Sequence, residues 1–421
     1  MIFTILGTLH FRHFTPLSAI VAVPDWIWLV FIFAFGCCIG SFLNVVIYRL
    51  PRDKSLVTPP SACPACSKHI RFYDNIPLVS WLVLGRKCRY CNEPISPRYF
   101  LIELLTGLIF LGLFILYFQV NLRDGIKLDG GGWLIYLLHI IMLAAFIAAS
   151  AIDLEYWLIP LSICWFVTAA GFIGSVVGVY IIDPALVRAY SLLPSASSDA
   201  AALAVGAAIG LVVSWALLYS GLVKRSYETE DEEQMTEDRG QKAENGGQKA
   251  EDGGRKAEAE SEHSLNHRLE ACREIIFLLP IIICSAAAYC IISSIFSIEA
   301  RNSFPAQHPA IAGLLGSLWG YFVGCGIVWG IRILGTLGFG KEAMGLGDVH
   351  LMGAAGAVIG PLYVVIAFFV APFFGLTWAG FQMFFKKIRQ IPYGPFLSLG
   401  IFVVIILHDW IRDYLSFVFY R

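Results

Sequence analysis

Two aspartates lie where acidic residues are costly. Asp153 ends one long apolar stretch, and Asp348 begins another, directly after Gly345 and Gly347. Two carboxyl groups that meet in a partly dry site repel each other and share one proton. The ionised acid can then take a proton from water while the protonated acid donates to a carbonyl oxygen, which cleaves a peptide bond. Taken singly, each acid could instead be a solvated helix cap at the membrane edge.

Two further acids, Glu155 and Glu103, compete with this pair. Glu103 lies in the first turn of a predicted helix, where the helix dipole stabilises a negative charge. The glycines beside Asp348 favour the catalytic interpretation, because they remove side-chain bulk where another backbone must come close. No histidine pairs with a serine or cysteine at a catalytic spacing, and the sequence has neither an H-E-x-x-H motif nor a glycine-rich phosphate loop.

Four cysteines form a second chemical pattern. Cys63 and Cys66 are one C-x-x-C pair, Cys88 and Cys91 are another, and 21 residues separate the pairs. Two such pairs present four sulfurs to one tetrahedral ion, so the pattern predicts a structural zinc site. A closed four-thiolate site has no open position and should hold the shape of the loop without activating water. Disulfide or redox chemistry are the alternatives, and both are disfavoured where glutathione keeps thiols reduced.

The elements that must position these residues are membrane helices. The chain has 421 residues, of which 57% are hydrophobic and only 14% charged, whereas soluble proteins carry about a quarter charged residues. The mean hydropathy is +0.70 and the formal net charge is −1. This composition excludes a disordered chain, a small disulfide-rich secreted domain and a nucleic-acid-binding protein, which would need an excess of Lys and Arg.

A helix needs about 20 apolar residues to cross the hydrocarbon core of a bilayer. The sequence predicts about ten such helices, the eighth of them short enough to be half-embedded. They cover residues 26–47, 100–119, 133–152, 157–182, 200–223, 275–297, 309–338, 346–360, 362–385 and 395–412. Since lipid cannot satisfy free backbone groups, we expect an all-α polytopic membrane protein. Residues 1–24 lack a compact apolar core with a cleavage site, so we predict no removable signal peptide.

Loop charges predict the orientation. Residues 49–99 hold nine Lys or Arg and three acids, whereas residues 120–132 and 298–308 are nearly balanced. Positively charged loops stay in the cytoplasm, so the cysteine loop is expected to be cytoplasmic. Ten alternating helices then place both aspartates on the same side as that loop.

Residues 224–274 interrupt the apolar pattern with fifteen acids and nine bases. Too few apolar residues are present to offset the entropy of ordering, so we expect a disordered or loosely helical insert, or else a partner-binding segment. The predicted organisation is therefore an N-terminal segment with the first helix (1–50), a cytoplasmic zinc-binding loop (51–99), helices that carry Asp153 (100–223), an acidic cytoplasmic insert (224–274) and helices that carry Asp348 (275–421).

Five blocks of residues, taken in order, resemble one family closely, the bacterial type IV prepilin peptidases, which are membrane aspartic proteases with a Gly-x-Gly-Asp signature. The blocks are Gly36 to Pro51, the cysteine loop with Asn75 to Trp81 and its continuation through Tyr99 to Gly107, Asp153 with Leu158 to Pro160, Met344 to Asp348, and Ile391 to Leu397. Gly-x-Gly-Asp alone would be a weak signal. Its place among the other blocks makes the resemblance specific.

The resemblance implies that Asp153 and Asp348 are the catalytic acids and that Gly345, Gly347 and His350 support the loop and the substrate. It implies an aspartic endopeptidase of the bacterial inner membrane, with its active site facing the cytoplasm. The substrates would be type IV prepilins or type II secretion pseudopilins, which lose a short basic leader. Many members of the family also methylate the new N-terminus with S-adenosylmethionine, an activity associated with the cysteine loop.

His350 departs from the family pattern, which usually has Lys two residues after the second aspartate. An unperturbed histidine would carry a positive charge there only below about pH 6.5. Two other functions stay open. One is a zinc-ribbon membrane scaffold whose acids are helix caps, and the other is a homologue that has kept methyl transfer and lost proteolysis, which the histidine would favour.

Overall fold

The computed structural model describes residues 24–223, 252–385 and 392–419. Within these ranges the chain is mostly helical and contains no β-strand beyond two isolated bridges in the cysteine loop, which is largely irregular. The predictions for the signal peptide and for residues 224–251 of the insert lie outside the described residues.

Fourteen α-helices occur in the described part of the chain, and we number them in chain order. They are α1 Asp25–Arg49, α2 Val79–Val83, α3 Pro97–Phe114, α4 Trp133–Tyr156, α5 Leu161–Ile181, α6 Pro184–Tyr190, α7 Ser198–Tyr219, α8 Asp252–Ile295, α9 Ile298–Gln307, α10 Pro309–Phe339, α11 Leu346–Ile359, α12 Pro361–Phe385, α13 Gly394–Ile406 and α14 His408–Phe419.

Eight of these helices are long and apolar enough to cross a membrane, and they are α1, α3, α4, α5, α7, α8, α10 and α12. Two of the ten predicted spans take other forms. Helix α11 has 14 residues and is a shorter apolar helix, as the sequence indicated. The predicted span 395–412 is not one straight helix, because α13 and α14 meet at a 72° bend. The fold is therefore the expected all-α polytopic membrane bundle.

The bend between α13 and α14 has a polar cause. Arg412 of α14 pairs with Asp124 at 3.1 Å, and Asp409 accepts a hydrogen bond from the backbone N–H of the same residue, Asp124. Asp124 lies in the connection between α3 and α4. Because charged residues belong at the membrane surface, these contacts turn α14 across the end of the bundle and do not let it continue through the apolar core.

Helix α8 begins within the acidic segment and not after it. The sequence places its apolar start near residue 275, but the helix already begins at Asp252. Residues 255–260 are Arg, Lys, Ala, Glu, Ala and Glu, all of them good helix formers. Part of the predicted insert is thus an extension of a membrane helix.

Helices α10 and α11 touch backbone to backbone. A Cβ atom added to Gly320 of α10 would lie 2.0 Å from the carbonyl oxygen of Gly356 in α11, and one added to Gly324 would lie 2.2 Å from that of Met352. Small residues allow helices in membranes to approach this closely. The packing fixes the start of α11, where Asp348 lies.

Candidate functional site

Asp153 lies in the last turn of α4 and is buried, with only 7% of its surface exposed. Its Oδ2 atom accepts a hydrogen bond of 3.0 Å from the backbone N–H of Gly394, the first residue of α13. Helix α4 ends at Tyr156. The next residue, Trp157, adopts a left-handed conformation with φ of 56°, and its N–H donates a hydrogen bond to the carbonyl oxygen of Asp153. The helix end therefore presents this carboxyl group to α13.

Asp348 lies in the first turn of α11 and is 8% exposed. A negative charge is favourable at this end of a helix. Its Oδ1 atom is buried and has no hydrogen-bond partner among the described residues. A buried carboxyl oxygen without a partner is costly, which is a common feature of sites that bind a further molecule.

The structure brings the two aspartates to one place. Ile159, in the short connection from α4 to α5, lies between the glycines beside them. A Cβ atom on Gly347 would be 2.7 Å from the Cβ of Ile159, and one on Gly394 would be 3.1 Å from its Cδ1. The same Cβ position on Gly394 lies 2.7 Å from Oδ2 of Asp153, so Ile159 borders the surroundings of both aspartates. Two buried carboxyls that repel each other share a proton, as an acid-base pair requires.

The cysteine loop meets the bundle at the same end. Arg98, at the start of α3, forms an ion pair with Glu155, two residues after Asp153. Arg52, which follows α1, lies 5.2 Å from the ring centre of Tyr156. Glu155 is therefore engaged in joining the loop to α4. The pair of aspartates and the cysteine loop share one face of the protein.

Glu103, the other competing acid, lies away from the aspartate pair. It is buried in α3, and its Oε2 atom accepts a hydrogen bond of 2.8 Å from the backbone N–H of Leu78 in the cysteine loop. It supports the loop and borders the cavity described below.

His350 contacts aromatic residues on the opposite side of α11. Its Nδ1 atom is 3.0 Å from the hydroxyl of Tyr321, and its ring lies 6.0 Å from that of Trp165. The described contacts of His350 include neither aspartate, and its role in supporting the loop and the substrate stays a prediction. Gly345 lies beside the second acid, because a Cβ atom there would be 3.7 Å from Oδ2 of Asp348.

A buried cation of α10, Arg332, holds the chain just before Asp348, and the sequence patterns did not single it out. Arg332 donates a hydrogen bond of 2.8 Å to the carbonyl oxygen of Met344, four residues before Asp348. The available signal was a lone arginine inside an apolar helix, which is rare in membranes and marks a specific role.

The four cysteines of the loop converge. Their Sγ atoms all lie within 4.8 Å of one another. With Zn–S distances of about 2.3 Å, tetrahedral geometry separates two sulfurs by about 3.8 Å, and the Sγ atoms of Cys63 and Cys91 are 3.8 Å apart. All eleven cysteines are free thiols, so no disulfide competes with a metal. The residues present fit one zinc ion.

Two equivalent turns create this convergence. Cys63 donates its N–H to the carbonyl of Lys68, and Cys88 donates to that of Glu93, so each pair starts a tight hairpin. Hydrogen bonds from the backbone N–H groups of Cys91 and Tyr90 lower the pKa of Cys88 to about 6. A lowered pKa favours the thiolate, which is the form that binds metal.

Between the loop and the ends of α1 and α3 lies a cavity of about 460 Å³. The ring of Trp81 stacks on Phe100 at its wall, with centres 4.8 Å apart. Glu103 and Asn44 also line the cavity, and Oδ1 of the buried Asn44 has no hydrogen-bond partner among the described residues. A cavity of this size with aromatic walls and a few polar groups is typical of a small-molecule site.

An ion pair stiffens the loop around this cavity. Arg89, in the second cysteine turn, donates three hydrogen bonds to both oxygens of Asp74, the shortest of 2.6 Å. These bonds from Arg89 lower the pKa of Asp74. The pair ties the second cysteine turn to the segment before α2.

Comparison with known proteins identifies relatives of the chain. Residues 34–117, which include most of α1, the cysteine loop and all of α3, match the model of the Bacterial Peptidase A24 N-terminal domain. A prepilin leader peptidase/N-methyltransferase of Myxococcus xanthus is 46% identical over 134 residues, which are 32% of this chain and 36% of that protein. One from Klebsiella pneumoniae is 38% identical over 150 residues, 34% of this chain and 60% of that protein.

The chain thus spans between a third and three fifths of the length of these curated relatives. A type 4 prepilin-like proteins leader peptide-processing enzyme of Escherichia coli is 41% identical over 143 residues, 30% of this chain and 48% of that protein. No solved structure matches the chain. The resemblance that the motifs indicate is confirmed, and this multi-pass helical protein is related to the prepilin leader peptidase/N-methyltransferases.

Proposed function

We propose that the protein is a membrane aspartic endopeptidase with Asp153 and Asp348 as its catalytic acids. The observation that carries this proposal is the convergence of two buried aspartates, from α4 and α11, around Ile159 at the end of the bundle where the cysteine loop lies. Solvated helix caps would instead be exposed and independent of each other.

In the proposed reaction, one aspartate is ionised and the other protonated. The ionised acid removes a proton from a water molecule as it attacks the peptide carbonyl, and the protonated acid donates its proton to the carbonyl oxygen. The Gly394 N–H holds Oδ2 of Asp153 in place, and the unpartnered Oδ1 of Asp348 is available to the reactants. The amine leaves with a proton, and the two acids return to their starting state.

The substrates we propose are type IV prepilins or type II secretion pseudopilins, and the names of the relatives support this choice. A basic leader would stay on the cytoplasmic side by the same rule that places a positive loop there. We therefore place the protein in the bacterial inner membrane, with the aspartates and the cysteine loop facing the cytoplasm. No nucleic acid takes part.

The test is mass analysis of a prepilin-like protein made with the wild-type chain, with Asp153→Asn and with Asp348→Asn. We expect the leader to be removed only by the wild type, while all three proteins insert equally. Asp53→Asn is the matched control, because this exposed residue has φ of 51°, which asparagine tolerates. Full cleavage by either active-site variant would refute the assignment of Asp153 and Asp348 as the catalytic acids.

We further propose that the cysteine quartet binds zinc and that the cavity beside it binds S-adenosylmethionine for N-methylation of the new N-terminus. Trp81 would stack on the adenine, Glu103 would face the cationic part, and Asn44 would supply its free carbonyl oxygen. When bound, S-adenosylmethionine supplies the methyl group. The zinc has no open position and would keep the cavity in shape.

The same mass analysis reports methyl transfer as a gain of one methyl group on the mature N-terminus. An intact leader on a substrate made with the wild-type chain would favour a homologue that has kept methyl transfer and lost proteolysis. Calorimetry of S-adenosylmethionine with the purified wild-type chain gives an independent readout, and failure to bind would remove the cavity from the proposal.

A further inference from the structure

Arg332 is the most deeply buried charged residue of the described chain, with 1% of its surface exposed, and it lies in the last third of the apolar helix α10. A buried cation is tolerated only when hydrogen-bonded partners surround it. Its Nε and Nη2 atoms each lie 3.1 Å from Oε1 of Glu274, and its Nη1 atom lies 2.7 Å from Oε1 of Glu342.

Glu274 belongs to α8, the helix that continues from the acidic segment, and is 3% exposed. Its second oxygen, Oε2, accepts a hydrogen bond of 2.8 Å from Nε1 of Trp329. Trp329 and Arg332 lie one turn apart on α10, so one carboxylate of α8 binds two consecutive turns of α10. Its partners fully occupy both oxygens.

Arg332 also contacts the chain just before Asp348. The same guanidinium donates from Nη1 to the carbonyl oxygen of Met344, at 2.8 Å. Met344 directly precedes Gly345, and Asp348 follows three residues later. A second contact holds the same connection, because Oγ1 of the buried Thr336 accepts from the N–H of Ala343 at 3.4 Å. These two hydrogen bonds hold the connection from α10 to α11, just before Asp348, against α10.

We propose that Glu274 and Arg332 are positioning residues for Asp348, so that helix α8 is a working part of the active site in this chain. Glu274 orients the guanidinium, and the guanidinium fixes the Met344 carbonyl and with it the start of α11. This inference rests on the proposed peptidase function. It assigns to the helix that extends the acidic insert a role in catalysis that its distance in sequence from Asp348 would not suggest.

The test must separate positioning from stability. Replacing one partner alone leaves a buried charge uncompensated, which strongly destabilises the protein whatever its effect on Asp348. The double variant with Glu274→Met and Arg332→Met removes both charges and keeps side chains of similar length, which membrane proteins tolerate. The matched control is Asp199→Asn with Arg301→Met, which removes an ion pair of 2.8 Å between α7 and α9.

Two readouts are made on each full-length, purified protein. The first is leader removal from a prepilin-like substrate, for which we expect kcat of the double variant to fall at least about tenfold with KM within about twofold, as loss of a hydrogen bond from a charged group predicts. The second is hydrogen exchange of residues 341–348, which we expect to become at least about tenfold faster for the same reason. The control should match the wild type in both.

An unchanged exchange rate in the double variant would overturn the inference, whatever the activity. Faster exchange with unchanged kcat would overturn it as well, because the position of the loop would not matter for catalysis. A wild-type chain that leaves every leader intact would instead refute the proposed function, and the exchange measurement would still decide whether Glu274 and Arg332 hold the loop.

Discussion

The carboxyl group of Asp153 is held by the backbone of Gly394. The backbone N–H of this glycine donates a hydrogen bond of 3.0 Å to Oδ2, although the two residues are 241 positions apart in the sequence. A Cβ atom on Gly394 would lie only 2.7 Å from the same oxygen. The residue type is therefore dictated by the carboxylate, because any larger side chain would push it away.

Replacing Gly394 with Ala should lower kcat for leader removal about 100-fold, because a displacement of about 1 Å at a catalytic group has an effect of this size. The measurement is single-turnover cleavage of a prepilin-like substrate. Gly330→Ala is the control, since a Cβ atom there meets nothing within 4 Å. Equal activity of the two variants would show that Asp153 does not need this contact.

The two aspartates should act as one unit. Asparagine at either position should reduce kcat about a thousandfold or more, because proton transfer by both acids is lost together. The double variant should be no slower than either single variant, since residues that act together are non-additive. Cleavage rates of the three proteins decide this, and independent multiplicative losses would contradict a shared proton.

Zinc content should depend on the quartet alone. The wild type should contain about one zinc ion per chain, and Cys91→Ser should lose it, because three thiolates no longer close a tetrahedral site. Cys272→Ser, an exposed cysteine outside the cluster, is the control. Metal analysis of the purified proteins gives the answer, and retention of zinc by the first variant would place the ion elsewhere.

Glu103→Gln should weaken S-adenosylmethionine binding at least about tenfold, because a charge-assisted contact is lost. The amide oxygen can still accept from the Leu78 N–H, so the loop should keep its shape. Leader removal should continue at the wild-type rate. Calorimetry and cleavage are measured on the same preparation, and unchanged affinity would show that the cavity serves another purpose.

Much of this architecture follows from the sequence because the membrane imposes a simple rule. Eight predicted spans coincide with helices, and the short helix at Asp348 was also expected. The bend before His408 was not, because it depends on contacts of Arg412 and Asp409 with Asp124, about 285 residues earlier. Local hydropathy contains no information about such distant pairs.

The candidate site likewise combines features that the sequence predicts with features that it does not. Cysteine spacing predicted the quartet, because its ligands are close in sequence and form two like turns. The prediction that Asp153 and Asp348 are catalytic came largely from the family resemblance, since each residue alone resembles a helix cap. The contact of Arg332 with Glu274 spans 58 residues, and the Gly394 donor is a backbone group without any side-chain signature. These partners could be found only in three dimensions.

The contact of Gly320 with Gly356 has a consequence for how a peptide enters. Helices α10 and α11 meet there without room for a single carbon atom, so they can neither slide nor separate without breaking the packing of the bundle. We expect Asp348 to stay in place when a peptide binds. The ends of α4 and α13 around Asp153 are then the part of the site that we expect to move when a peptide enters.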